Sequence, residues 1–313
     1  MVGTVGRTDL LGDDLAPGLA RELHRALHTR ILALPDGLPV YPTHGAGSFC
    51  SARGIAARAT TIGTERATNP LLAIADEDEF VEALLGRLGT FPTYFRALPE
   101  RNRRGPRIYP QAPTLEPLTP QQVADHVQAG AVLVDARPID RFAAGHPARA
   151  VSNALRGVFG SWLGWTIPLD TPLVFLLDAD QDRDDLIAQC LRVGHEHLLG
   201  EITGGYQAWA AAGLPTNAIA LVDPSEASPT VLDVRQAAEW ATGHVPGAVH
   251  AELGTLDTAP IPDGPVTVMC GHGERAMTAA SLLAARGRTD LTVLAGGPED
   301  WSTATGVPLE VGS

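Results

Sequence analysis

The chain has 313 residues, of which 44% are hydrophobic and 19% are charged, and its formal net charge at pH 7 is −13. This length accommodates about two or three domains, and the composition is that of a soluble globular protein. The negative charge argues against nucleic acid and membranes as partners. No apolar run approaches the roughly 20 residues of a membrane span, and the first residues do not form a signal peptide. Three cysteines do not make a disulfide framework, so we expect a cytoplasmic protein.

The first third of the chain predicts two amphipathic helices and a short strand. Leucine and isoleucine recur at helical spacing between residues 15 and 34, and residues 77–88 predict a second helix. His24 and His28 lie four residues apart on the first helix. No third ligand is near them, so we expect two surface histidines rather than a metal pair. Residues 39–48 predict a strand ending in a loop, where His44 is a candidate metal ligand.

Four short segments of this region share one family pattern, namely residues 6–12, 32–36, 41–48 and 61–70. Together they resemble the second half of a metallo-β-lactamase-fold domain, most closely that of the persulfide dioxygenase and glyoxalase II branch. The resemblance implies that His44 lies at the metal site, with Arg7 and Asp9 near it.

The family's main metal motif, His-x-His-x-Asp-His, and its bridging aspartate have no counterpart in the sequence. The one His-x-His lies at residues 195–197, and Leu198 follows it where the motif needs aspartate. Because a catalytic metal site needs about three protein ligands, we expect no metal activity in this segment. We interpret residues 1–108 as a partial αββα segment. We expect either that the chain has been cut short or that this partial segment has a structural role.

A linker separates this segment from the rest of the chain. Residues 101–107 are rich in arginine and residues 110–117 in proline, which predicts an extended connection. We place the linker at residues 109–117. The arginines favour a solvated connection over a nucleic-acid contact, because the rest of the chain is acidic.

A long internal repeat follows the linker. Residues 132–146 match residues 230–244, and residues 204–209 match residues 296–301. Three polar residues recur in pairs, namely Asp135 with Asp233, Arg137 with Arg235, and His146 with His244. A repeat of this length predicts two related domains in tandem, which we place at residues 118–217 and 226–313.

The second copy carries a cysteine in a short loop between a predicted strand and a predicted helix. Residues 266–269 are apolar and β-branched, which indicates a buried strand, and Cys270 follows them. Two glycines and a charged pair then lead into residues 276–285, which are dense in helix formers. Free backbone N–H groups and the helix dipole both favour negative charge in such a loop. We therefore expect a reactive thiolate rather than an inert buried thiol.

The pattern Cys270-x-x-Gly273-x-Arg275, preceded by residues 231–248 and followed by residues 294–301, resembles a rhodanese domain. The resemblance implies an α/β domain with a central parallel sheet. It also implies sulfur transfer through a cysteine persulfide, without a metal or an organic cofactor. The loop is one residue shorter than that of cysteine phosphatases, which suits an outer sulfur atom better than a phosphate.

Cys270 is the expected nucleophile, and the residues expected to bind the substrate are Gly271, His272, Gly273, Glu274 and Arg275. The glycines let the loop curl closely, so that its N–H groups can stabilise the persulfide anion. We expect Arg275 to hold the loop and to attract the donor's charge. His272 either contacts the substrate or faces solvent, and Glu274 is a weaker candidate. We expect structural roles for Asp233, Arg235, Glu239 and His244.

The first copy lacks this chemistry. Leu177 stands where the nucleophile should be, and the loop at residues 178–182 has three carboxylates and no glycine. Cys190 falls on the following helix, where we expect it to belong to the core. We interpret this copy as a structural or docking domain. The resemblance to tandem rhodaneses implies that it pairs with the active copy across a shared groove.

The leading hypothesis is a sulfurtransferase that moves sulfane sulfur from thiosulfate, glutathione persulfide or polysulfide to a thiol or to cyanide. One alternative is a metal-dependent persulfide dioxygenase or hydrolase of the metallo-β-lactamase fold, truncated here, with accessory rhodanese domains. Another is a redox sensor whose thiol does not turn over. The sequence leaves open whether the protein forms a homo-oligomer.

Overall fold

A computed structural model describes residues 2–43, 57–105 and 107–312 of the chain. The chain forms two compact units, Met1–Phe91 with Phe95–Pro106, and Pro92–Tyr94 with Arg107–Ser313. His44, the candidate metal ligand, lies outside the described residues. Within the described ranges, no helix is long and apolar enough to cross a membrane. Nor do these ranges contain a cluster of three or more His, Cys, Asp or Glu side chains placed to hold a metal ion.

The first unit is mainly helical. Its elements are α1 (Ala16–Ala26), which continues as a π-helical turn (Leu27–Ile31), β1 (Pro39–Val40), β2 (Thr60–Thr61), α2 (Ile62–Thr68), α3 (Glu77–Leu85) and α4 (Leu98–Arg104). A 3-10 turn (Thr93–Ala97) precedes α4 and begins in the short stretch assigned to the second unit. The apolar stripe of α1 packs on α3, and the buried cluster between them includes Ala20, Leu27, Phe80 and Leu84. Both predicted helices are therefore present, each ending before its predicted limit.

Two local predictions for this unit were wrong. His24 is not a surface residue, because its side chain is 7% exposed, its Nε2 lies 3.0 Å from the Ile74 carbonyl oxygen and its ring packs on Phe80. Three of the four arginines that predicted an extended connection, Arg101, Arg103 and Arg104, lie on α4 instead. Glu100 pairs there with Arg103 and Arg104 at 2.7 Å each, and these i,i+3 and i,i+4 contacts support a helix.

Arg7 and Asp9, which the resemblance placed near a metal, bind each other. The Arg7 guanidinium donates to both oxygens of Asp9, at 2.9 and 2.7 Å.

The second unit contains both repeat copies. The first copy comprises β3 (Pro117–Leu118), α5 (Pro120–Gln128), β4 (Val132–Asp135), α6 (Ile139–Ala144), β5 (His146–Pro147), β6 (Val151–Ser152), α7 (Phe159–Thr166), β7 (Leu173–Leu176), α8 (Arg183–Val193), β8 (Leu198–Ile202), α9 (Gly205–Ala211) and β9 (Thr216–Asn217). The second comprises β10 (Ala220–Val222), β11 (Val231–Asp233), α10 (Ala237–Trp240), β12 (Val249–His250), β13 (Val266–Met269), α11 (Glu274–Ala285), β14 (Leu291–Leu294) and α12 (Pro298–Thr305), with 3-10 turns at Pro224–Glu226 and Leu253–Thr255.

Each copy is built on a five-stranded sheet whose strands all run parallel. The strand orders are β3-β8-β7-β4-β6 and β10-β14-β13-β11-β12, so equivalent strands occupy equivalent places. Parallel strands need crossover connections, and these connections place helices on the sheet faces. The predicted α/β fold with a tandem repeat is confirmed. Two strands lie outside the predicted limits: Pro117 of the predicted linker belongs to β3, and β10 precedes the predicted start at residue 226.

The paired polar residues of the repeat tie each strand end to the following turn. Arg137 donates to Asp135 at 2.6 Å and to the Gly145 carbonyl at 2.9 Å. In the second copy, Arg235 donates to Asp233 and to the Gly243 carbonyl, both at 2.7 Å. All four charged side chains are buried. Because each arginine is paired and hydrogen-bonded, these residues are structural, as expected.

The two copies share one hydrophobic core. A single buried cluster joins Phe142 and Trp209 of the first copy to Leu232 and Met277 of the second. At the same interface, the Ser152 backbone N–H donates to Ser281 Oγ on α11 at 2.9 Å, and both residues are buried. The first copy therefore stabilises the second by burying its apolar side chains and by hydrogen bonding to α11.

Replacing Ser281 by alanine is expected to lower the free energy of unfolding by about 1–3 kcal/mol, because the Ser152 N–H would be left buried without its acceptor. Urea unfolding would measure the change. Ser225→Ala, at an exposed position of the same copy, should stay within about 0.5 kcal/mol of the wild type. Equal midpoints for all three proteins would contradict the prediction.

Candidate active site

Cys270 lies immediately after β13, the central strand of the second sheet, and α11 begins at Glu274. All four residues of β13 are buried, and Cys270 itself is 1% exposed. Open parallel sheets place their binding sites at the carboxyl ends of such strands. The predicted strand, loop and helix are all present, and the thiol is at the point where they meet.

The loop directs a backbone donor at the thiol. The Gly273 N–H donates to Cys270 Sγ at 3.2 Å. This geometry requires a φ of +96° at Gly273, where a Cβ would also lie 3.0 Å from Ile139 Cδ1 of the first copy. Only glycine adopts this conformation without strain. The N–H group and the amino end of α11 together favour negative charge on the sulfur.

Arg275 is held by Glu239. Its Nη1 and Nη2 donate to the two carboxylate oxygens at 2.6 and 2.7 Å. Burial is the largest influence on each group and opposes its charge, but the mutual hydrogen bonds and the nearby charges together outweigh burial. The pKa of Glu239 therefore lies below its ordinary value, and the pKa of Arg275 lies above its own, where the Cys270 charge contributes as well. The pair is ionised at neutral pH, and it fixes the guanidinium beside the loop.

The closing segment of the second copy packs directly on the loop that follows Cys270. A Cβ at Gly297 would lie 2.6 Å from the Gly271 carbonyl oxygen. Glycine at position 297 therefore permits the backbone of this segment to approach the loop closely.

A cavity of about 300 Å³ opens at the thiol, lined by Arg156, Val158, Trp162, Gln236, Glu239, Cys270, His272, Glu274 and Arg275. Four of the predicted site residues are among them, namely Cys270, His272, Glu274 and Arg275. Gly271 and Gly273 shape the loop behind it. His272 is exposed, and Glu274 faces Arg156 across the cavity, with 3.8 Å between Arg156 Nε and Glu274 Oε1.

This arrangement has counterparts among known proteins. The family model described as "Rhodanese-like domain" matches residues 119–212 and 217–304. The chain belongs to the rhodanese family.

Curated rhodanese relatives match a shorter stretch of the chain. A protein named thiosulfate sulfurtransferase GlpE, from Pseudomonas fluorescens strain SBW25, is 35% identical over 91 residues, which are 28% of this chain and 82% of that protein. A protein of the same name from Ectopseudomonas mendocina strain ymp is 35% identical over 74 residues, covering 23% of this chain and 68% of that protein. These matches support a sulfurtransferase.

A solved structure is similar in fold to a larger part of the chain. The metallo-β-lactamase from Staphylococcus aureus subsp. aureus COL aligns with 64% of this chain and 54% of that one, at a TM-score of 0.51 and 23% identity. The likeness shows the fold alone, and it confirms the metallo-β-lactamase-like fold predicted for the first part of the chain. This chain spans about half the length of that protein.

In the first rhodanese copy, the loop after Leu177 is filled by its own side chains. Gln181 accepts from the Asp178 N–H at 2.8 Å and donates to the Ala136 carbonyl at 2.7 Å. Arg183 donates to the carbonyls of Asp178 and Gln181, at 2.7 and 2.6 Å. Leu177 is buried. No thiol and no open cradle of N–H groups is present in this described loop.

Cys190 does not compensate for the missing nucleophile. It lies on α8, is 0% exposed and packs in the first copy's core. Burial raises the pKa of the Cys190 thiol to about 12. The prediction that it is a core residue is confirmed.

Sequence reasoning missed the cavity residues that come from the first copy, because Arg156, Val158 and Trp162 reach Cys270 only through the packing of the two copies. It also underestimated Glu239, which holds Arg275. A signal for Glu239 was present in the repeat. The aligned position in the first copy is Arg141, so the charge is reversed there.

Proposed function

We propose that this protein is a sulfurtransferase that carries a sulfane sulfur as a persulfide of Cys270. The observation that carries the proposal is the Gly273 N–H directed at Cys270 Sγ, 3.2 Å away, at the base of a cavity that also contains Arg275. A loop of this kind favours a thiolate and then a terminal sulfur anion in the same place. The relatives named thiosulfate sulfurtransferase make thiosulfate the first donor to test.

In the first half-reaction, the Cys270 thiolate attacks the outer sulfur of the donor. A sulfur–sulfur bond forms at Cys270, and the bond between the outer sulfur and the rest of the donor breaks. With thiosulfate the leaving group is sulfite, and with an organic persulfide it is the thiolate. The electron pair of the broken bond leaves with that group, so no external oxidant or reductant is required.

In the second half-reaction, a thiolate or cyanide attacks the outer sulfur of the Cys270 persulfide. The new bond forms to the acceptor, and the Cys270 thiolate is released. The products are an acceptor persulfide or thiocyanate. The same loop N–H group stabilises the sulfur anion before and after transfer, as preorganised donors do at an oxyanion.

The roles of the neighbouring residues follow from their contacts. Arg275, locked by Glu239, supplies positive charge beside the loop for an anionic donor. His272 is exposed at the cavity and accessible to the substrate. Gly271 and Gly273 keep the loop compact. Cys190 and Cys270 are both free thiols, which suits our further proposal that the protein works in the reducing cytoplasm.

Intact-mass measurement after incubation with thiosulfate, together with thiocyanate production from cyanide, tests the proposal. We expect a gain of one sulfur that cyanide removes, and catalytic formation of thiocyanate. A protein that reacts with a thiol-alkylating reagent but neither gains sulfur nor forms thiocyanate from thiosulfate, glutathione persulfide or polysulfide would overturn the proposal. That result would favour a redox sensor.

A further inference from the structure

The cavity at Cys270 contains two arginines whose charges are neutralised to different degrees. Arg275 binds both oxygens of Glu239, and only 14% of its side chain is exposed. Arg156, from the inactive copy, has 41% of its side chain exposed and faces Glu274 at 3.8 Å. This distance exceeds that of a hydrogen bond. Within the described ranges, the guanidinium N–H groups of Arg156 are therefore available to donate hydrogen bonds to a ligand.

The segment that carries Arg156 is held in place from inside the first copy. The Arg156 carbonyl accepts from Gln189 Nε2 at 3.1 Å and from the Phe159 N–H at 2.8 Å. Asn153 Nδ2 donates to the Phe159 carbonyl at 3.1 Å. Asn153 and Gln189 are both 4% exposed. Buried polar side chains thus fix the backbone of an exposed cation, which is how a binding residue is preorganised.

Two apolar side chains stand beside this cation. Val158 is 39% exposed although it is a large aliphatic residue. The ring of Trp162 packs on the Arg275 guanidinium, whose Cζ lies 5.3 Å from the ring centroid. Both line the cavity, whose volume of about 300 Å³ is at the lower end of the range for small organic ligands. A cation next to an apolar wall complements a molecule that has both an anionic group and a carbon skeleton.

We propose that Arg156 binds a carboxylate of an organic persulfide, while Val158 and Trp162 contact its carbon chain. This inference rests on the proposed function of Cys270. The preferred donor is then a small organic persulfide that carries a carboxylate, rather than inorganic thiosulfate. The outer sulfur passes to Cys270, and the thiolate product leaves with its carboxylate released from Arg156. The inactive copy therefore determines substrate choice.

The test compares three donors, with cyanide as acceptor and the uncatalysed reaction subtracted. Glutathione persulfide carries carboxylates, mercaptoethanol persulfide carries none, and thiosulfate has no carbon skeleton. For Arg156→Gln we expect the KM for glutathione persulfide to rise about tenfold with kcat unchanged, because the lost contact binds the ground state and the transition state equally. The KM for mercaptoethanol persulfide should change less than about twofold. Arg156→Lys should recover part of the loss. Arg192→Gln, an exposed arginine on α8 outside the cavity lining, should behave as the wild type.

Three results would overturn the inference. An equal change for both persulfides would show that Arg156 does not recognise the carboxylate, and so would an unchanged KM for glutathione persulfide. A wild-type kcat/KM higher for thiosulfate than for glutathione persulfide would overturn the substrate class. Failure of the proposed function is distinguishable, since the wild type would then produce no thiocyanate from any donor.

Discussion

Replacing Cys270 by serine is expected to abolish sulfur transfer, with thiocyanate formation falling by about 10³-fold or more. A serine hydroxyl stays protonated at neutral pH and forms no persulfide, so both half-reactions lose their carrier. The variant should also lose the mass gain of one sulfur after donor treatment. Because serine is close to cysteine in size, we expect the fold to survive, which circular dichroism would check.

The matched control is Cys190→Ala. Cys190 is fully buried on α8, and burial raises the pKa of its thiol to about 12. It therefore holds almost no thiolate at neutral pH and is closed to the donor. Sulfur transfer per folded molecule should equal that of the wild type. Retained transfer in Cys270→Ser, or lost transfer in a folded Cys190→Ala protein, would place the nucleophile elsewhere and contradict the assignment.

The features that sequence alone could predict are local or repeated. Cys270 follows an apolar β-branched run and precedes helix formers, so its place between β13 and α11 follows from patterns within about a dozen residues. Because the two copies share the repeat, a contact expected in one copy was also expected in the other. Asp135 and Arg137 make the same contacts in the first copy that Asp233 and Arg235 make in the second. Such agreement between local pattern and repeat predicted two related domains in tandem, and the resemblance to rhodanese domains implied their parallel sheets.

The features that sequence could not predict depend on tertiary packing. Arg156 and Trp162 show no pattern of their own, and they line the cavity only because the first copy packs against α11 and its preceding loop. The composition of residues 101–107 suggested a solvated linker, but residues 101–104 belong to α4, where Arg103 and Arg104 pair with Glu100 at helical spacing. The sequence pattern predicts an exposed position for His24, yet its ring packs on Phe80 and hydrogen-bonds to the Ile74 carbonyl oxygen. For the cavity residues and for His24, a contact outside the local pattern decided the outcome, whereas the helix at residues 101–104 has local pairs that the composition alone did not indicate.

Replacing Glu239 by glutamine should lower kcat/KM by about 100-fold, although the Cys270 thiol is still present. An amide cannot match both Nη donors of Arg275 and brings no charge, so a largely buried guanidinium is left uncompensated beside the loop. Steady-state kinetics with thiosulfate and cyanide would measure the loss. Glu226→Gln, an exposed position of the same copy, is the matched control and should retain wild-type kinetics. A Glu239→Gln protein as active as this control would show that Arg275 needs no partner.

The pH dependence of stability tests the same ion pair without using activity. The pKa of Glu239 in the folded protein is below its ordinary value of 4.5, because the cost of burial, the largest single influence, is outweighed by the hydrogen bonds and charge of Arg275 together with smaller contributions from Gln236 and Arg235. A lowered carboxyl pKa contributes stability that is fully present above the ordinary value. That contribution is lost as the pH falls below 4.5 through the folded-state value. The difference in unfolding free energy between the wild type and Glu239→Gln should therefore be constant around neutral pH and should shrink in acid.

A double-mutant cycle tests the same contact. Adding Arg275→Gln to Glu239→Gln should lower the free energy of unfolding by less than Arg275→Gln lowers it in the wild type, because the pair has already been broken. Additive costs, or a difference that grows in acid, would mean that the Arg275–Glu239 contact does not hold the catalytic loop.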